Sequence, residues 1–190
     1  MIKTYLKIAL ICCIFTACKQ PEARRPISVK SGSFMRVSIE RNKNLLAYEE
    51  AIIDSIIEKD TTHTYHNSAN GYSYYFITHN PAETYLPKKG DVVKINYDIR
   101  TLEDQVIYSS DAIGTVDFKV DKEDYFPGLR TAVKLLKKGE KATFLFPSSL
   151  AYGYHGDDDK VGTNQAIKST ITLIDIVEKS TDSIQNITSN

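Results

Sequence analysis

The sequence has no tryptophan, only nine glycines and six prolines among 190 residues, and three cysteines, Cys12, Cys13 and Cys18, all within its first 18 positions. With cysteine confined there, the rest of the chain carries neither a disulfide framework nor a cysteine-based zinc site. Net charge is lacking too. The 24 Lys+Arg are matched by 24 Asp+Glu, whereas proteins that grip phosphate backbones carry a basic surplus on one face. Glycine and proline are too sparse for a fibrous or low-complexity chain, and a hydrophobic content of 42% is too high for intrinsic disorder. No apolar run reaches the length of a membrane-spanning helix. What remains is one domain's worth of core with extensions.

The extension at the start has its own chemistry. Lys3 and Lys7 precede an apolar run from Ile8 to Phe15, followed by the small residues Thr16 and Ala17. A charged start, a short apolar stretch and small residues at a cut describe an export signal over residues 1–17. The tetrapeptide FTAC at 15–18 resembles a bacterial lipobox. The resemblance implies acylation of Cys18 and a lipid anchor in the cell envelope, on a bacterial membrane and facing the periplasm or the surface. A secretory signal without lipid is the alternative. Several acyl chains on one cysteine, at about 0.8 kcal/mol per buried CH₂, would hold durably.

Residues 18–43, basic and broken by Pro21 and Pro26, read as a tether. Beyond them Leu45, Tyr48, Ile52, Ile53, Ile56 and Ile57 fall at steps of three and four, which predicts an amphipathic helix over 44–60, capped by Asn44. Such a stripe must be covered, either by its own domain or by a second copy in a homodimer.

After Thr61 the period changes to two. Strand-like runs occupy Tyr72–Thr78, Val93–Arg100, Gln105–Ser109, Thr115–Val120, Glu140–Phe146 and Ser169–Val177. In the second of these, Val93, Ile95, Tyr97 and Ile99 alternate with polar residues, giving one wet face. One segment has helical spacing: after Pro127-Gly128, Leu129, Val133 and Leu136 share a face, and Lys137-Lys138-Gly139 ends it. About five to six antiparallel strands around one short helix make an α+β fold, over 71–180, with a disordered tail at 181–190.

No cofactor or metal is called for. His63 and His66 lie in a polar linker and lack the further ligands a zinc ion needs. The acidic run Asp157-Asp158-Asp159 lacks the spaced acids of a calcium loop and reads as a solvated tip. Neither a phosphate cradle nor a nucleophile elbow appears.

The segments KKGDVVKINYDIRTLEDQVIYSS at 88–110, PG at 127–128, KKGEKATF at 137–144, PSSLAYG at 147–153 and STITLIDIVEK at 169–179 together resemble the FKBP-type peptidyl-prolyl cis-trans isomerases. The lipobox, helix and domain in that order are similar to the gliding-motility-associated lipoproteins of that family. The resemblance implies an FKBP-like fold and an isomerase acting on proline-containing polypeptide clients, helping exported or envelope proteins to fold. It implies catalytic roles for Tyr152, Tyr97 and Phe126: Tyr152 donating its hydroxyl to the substrate carbonyl, Tyr97 lining the cup and Phe126 offering its backbone amide. Ile107, Tyr108, Val116, Phe118, Tyr125, Leu129 and Ile174 would complete the substrate-binding cup, with Leu129 as floor and Ile174 as far wall. Tyr108, Leu129, Ile174 and Val116 depart from the family's usual Asp, Trp, Phe and aromatic, so the resemblance implies weakened turnover. A chaperone that grips proline-containing or apolar segments with little catalysis is the alternative.

Overall fold

The computed structural model describes residues 31–179. The export signal, Cys18, the first part of the tether and the tail at 181–190 lie outside them. The chain divides into two compact units, residues 1–38 and residues 39–190.

A single helix, α1 (Ser31–Lys59), opens the described chain. It begins at Ser31 and not at Asn44, so the second half of the expected tether is helical. The physical reason is cooperativity. Once a helix is nucleated, each added residue contributes one backbone hydrogen bond, and from Ser33 to Lys43 no proline or glycine interrupts it. An apolar stripe is not required for that extension: Met35, Val37 and Ile39 are exposed. Nearer its end, Ile53 is buried against Leu102 and Leu145, with Ile52, Ile56 and Ile57 beside it. The isoleucine stripe is thus covered by its own domain. Asp60 ends the helix, its carboxylate accepting from the backbone and hydroxyl of Thr62 and from the Tyr65 hydroxyl, and pairing with His63 at 2.8 Å. The Thr62 hydroxyl first, and then His63, hold that carboxyl far below the usual carboxylate range. His63 also stacks on Tyr75 at 4.0 Å.

The described strands form one antiparallel sheet, β1 (His66–Asn67), β2 (Ser73–Thr78), β3 (Val92–Tyr97), β4 (Ile99–Arg100), β5 (Val106–Tyr108), β6 (Thr115–Lys119), β7 (Lys141–Phe146) and β8 (Ile167–Glu178). Their order is β1-β2-β7-β8-β3-β6, with β4 pairing both β5 and β8. The strand count exceeds the expected five to six because two-residue pairings such as His66–Asn67 carry too little pattern to be seen in sequence. Two short helices punctuate it, α2 (Ser110–Ile113) and α3 (Pro127–Ala132), the latter tightening into a 3₁₀ turn at Val133–Leu135.

Alternation puts Val93, Ile95 and Tyr97 of β3 into the core and turns Lys94 and Asn96 outward. Against that inner face α3 buries Leu129 and Ala132 completely, and the 3₁₀ turn buries Val133. The fit at its start is close: a Cβ on Gly128 would meet the Phe146 ring at 2.6 Å and the Leu150 carbonyl oxygen at 2.8 Å. Only glycine lets the helix approach so near. At its far end the fully buried Glu140 accepts from the backbone N–H of Lys137 (2.8 Å) and of Asn80 (3.0 Å).

Candidate active site

The ring of Phe126 sits at the centre of an aromatic group, 6.4 Å from Tyr97, 5.4 Å from Tyr152 and 5.7 Å from Phe146. Three elements supply it. Tyr97 ends β3, Phe126 immediately precedes α3, and Tyr152 follows the 3₁₀ turn Ser148–Leu150 that continues from β7. Leu129 lies fully buried beneath, and Phe118 and Tyr125 pack together at 4.8 Å. Ile107, Tyr108, Val116 and Tyr125 are half-buried against the same core.

Ile174 does not join them. Between Lys94 and Ile95 the β3–β8 register shifts: Lys94 pairs with Asp175, and Ile95 with Leu173. Ile174 is the extra residue of that bulge, turned out of the pleat and 39% exposed. Ile171, Leu173 and, past the bulge, Ile176 face the core in its place.

Donors without partners face this group. Among the described residues, no hydrogen bond engages the hydroxyls of Tyr97 or Tyr152 or the N–H of Phe126. Burial pushes the Tyr97 hydroxyl up to about 12, with Tyr125 adding to it. Burial also raises that of Tyr152, with Tyr97 and Asp157 contributing. Both therefore remain neutral donors at any ordinary pH. A largely buried group of rings with O–H and N–H donors and no acid, base or nucleophile among its members suits a reaction in which a bond turns and none breaks.

Tyr108 behaves differently from the site's other residues. Its hydroxyl donates to Asp157 at 2.6 Å and Asp159 at 3.0 Å, and Lys160 lies 4.9 Å over its ring. The acidic run is therefore no mere solvated tip. Asp157 also accepts from the N–H of Asp159 and of Val161, organising the loop from within. The hairpin residue Tyr108 is thereby tied to carboxylates of the loop. Sequence reasoning missed Asp157, and only an excess of acids in an otherwise ordinary loop hinted at it.

The sheet and the short helix packed on it define an α+β domain with the ring group at their junction. Residues 83–174 match the family model of the FKBP-type peptidyl-prolyl cis-trans isomerases. It is 38% identical over 91 residues to a Neisseria meningitidis serogroup B protein named "Probable FKBP-type peptidyl-prolyl cis-trans isomerase FkpA", a match covering 47% of this chain. The chain spans about a third of the length of that curated relative. Two solved structures share the fold at 20% identity. The crystal structure of FkpA from Escherichia coli has a TM-score of 0.58 over 93% of this chain and 83% of its own. A peptidyl-prolyl cis-trans isomerase from Pseudomonas syringae pv. tomato has a TM-score of 0.56 over 70% of this chain and 93% of its own. No helix among the described residues is long and apolar enough to cross a membrane.

Proposed function

We propose that this chain catalyses the cis–trans isomerisation of X-Pro bonds in exported or envelope proteins and so speeds their folding. The observation that carries the reading is the ring group in which Tyr97, Phe126 and Tyr152 meet with their donors unengaged. Rotation of the bond meets a barrier of roughly 18–20 kcal/mol because the amide's resonance is lost as it twists. The planar amide is the more charge-separated state, so an apolar surround disfavours it relative to the twisted one. A donor held where the rotated carbonyl arrives adds to the difference. Tyr152 would give that hydrogen bond, and the Phe126 N–H would hold the neighbouring backbone. Leu129 and Val116 offer no ring to the proline, so turnover falls below that of family members with an aromatic floor.

The test is a prolyl isomerase assay on the chain from residue 19 onward, beside Tyr152→Phe. A lost hydrogen bond of about 1.4 kcal/mol predicts a roughly tenfold drop in kcat/KM. Equal rates for the two proteins, both at the uncatalysed value, would leave a chaperone that suppresses aggregation without exchange.

The site of action follows from the start of the chain. Lys3, Lys7, the apolar run and FTAC support cleavage before Cys18 and a lipid anchor in the envelope. Incorporation of labelled palmitate that vanishes in Cys18→Ala checks it. The layout of lipobox, helix and domain supports clients in the gliding motility machinery, which gliding by cells lacking the protein would refute. A homodimer through residues 44–59 would use Leu46 and Tyr48, the exposed large apolar residues of that stretch, and light scattering reads it directly.

A further inference from the structure

The helix α1 carries an oddly placed carboxylate. Glu49 on α1 is 4% exposed. Its Oε2 accepts the backbone N–H of Ser148 at 3.0 Å, across 99 residues of sequence, and its Oε1 is buried without a partner among the described residues. Burying a carboxylate against a single neutral donor is costly, and a neutral side chain would fill the place more cheaply.

The Ser148 N–H opens the turn that presents Tyr152. The Ser148 carbonyl in turn accepts from the N–H of Ala151 (3.0 Å) and of Gly153 (2.9 Å), the two residues flanking Tyr152. The Gly153 carbonyl accepts from Asn164 at 2.8 Å, on the far side of the loop. Packing alone does not fix this junction, because a groove of about 150 Å³ runs between α1 and the turn. The hydrogen bond that the Ser148 N–H donates to the Glu49 side chain sets the orientation there, and bonds in series reinforce one another.

We propose that Glu49 is a positioning residue for isomerisation. Acting through Ser148, it holds the Tyr152 hydroxyl where the rotated carbonyl arrives, which makes α1 a working part of the site although it lies outside the family's matched segment. This deepens the isomerase reading and rests on it.

The experiment compares the chain from residue 19 onward with its Glu49→Ala and Glu49→Gln variants, in kcat, in KM and in amide exchange at Ser148, Ala151 and Gly153. Glu49→Ala should lose about tenfold in kcat with KM held, as expected for a reacting group moved by a fraction of an ångström. Glu49→Gln, whose amide oxygen still accepts from Ser148, should recover most of it. Ser148→Pro deletes the donor from the other side while keeping the φ that a 3₁₀ turn needs, and should reproduce the loss if Glu49→Ala does not fold. A folded Glu49→Ala with kcat within twofold of the parent overturns the proposal, as does a loss confined to KM or one that Gln fails to restore. An inactive parent overturns the isomerase reading instead. The relay is then judged by exchange, where unchanged rates at Ser148 and Gly153 in Glu49→Ala refute it.

Discussion

Tyr97 and Tyr152 owe their usefulness to surroundings that keep their protons on. Burial is the leading cause for both, raising Tyr97 to about 12 and Tyr152 as well. An unfolded tyrosine titrates near 10. A group whose folded pKa is raised contributes stability below its unfolded pKa and loses it as pH climbs through the folded one. Activity should therefore stay flat from about pH 6 to 9.5 and decline only above about pH 10, together with the folded population. A rate profile followed beside circular dichroism checks it. A break near neutrality would mean that some other group titrates in the reaction.

Asp157 titrates the other way. Burial pushes its carboxyl up, but the Tyr108 hydroxyl and the N–H groups of Asp159, Val161 and Lys160 outweigh that and leave it below its ordinary value. A depressed carboxylate contributes stability that is present above the unfolded pKa and lost as pH falls through the folded one. The tie between Tyr108 and the loop should then persist to below about pH 4. Tyr108→Phe keeps the ring under Lys160 and removes the hydroxyl alone. It should speed amide exchange at Asp157, Asp159 and Val161 severalfold while leaving exchange in β7 and β8 unchanged. Equal exchange in the loop would show that the two hydrogen bonds restrain nothing.

Among the elements, the junction of α3 and β7 hangs on one side chain. Glu140 accepts from Lys137 and Asn80, pairs with the His79 ring at 2.8 Å, and is fully buried. Glu140→Ala leaves two part-buried N–H groups without this acceptor, a loss of about 3 kcal/mol given that hydrogen bonds to charged groups contribute roughly 1.5–3 kcal/mol each. A urea midpoint lower by the corresponding amount, with an unchanged slope, is the expected result. Elements of this kind divide by what sequence can show. The runs β3 and β7 and the start of α3 were legible because alternation, proline and glycine act over a few residues. The ring group was legible because its members sit in short motifs. Glu49 and Tyr108 were not, since their partners lie 99 and 49 residues away and neither contact leaves a local period. Ile174 misled because its role came from the resemblance, whereas alternation with Ile171 and Leu173 already turns it outward and the bulge then brings Ile176 to the core.

At the scale of the whole molecule, the family's matched segment runs from 83 to 174, yet the sheet's outer side is finished by residues before it. Ile53 covers Leu102 and Leu145, and Glu49 supplies the acceptor for Ser148. Removing residues 1–59 should thus leave a domain that folds but carries an uncovered apolar patch and an unheld turn. Burial of one isoleucine is worth about 1.5–3 kcal/mol, so the truncated chain should melt roughly 5 °C below the chain from residue 19 onward. Its kcat should fall to the level of Glu49→Ala, because both changes free the same N–H. The comparison separates two effects that a single variant would confound. If the midpoint drops while kcat holds, α1 serves only to cover Leu102 and Leu145. Equal values of both would make the helix a passenger on a domain complete without it.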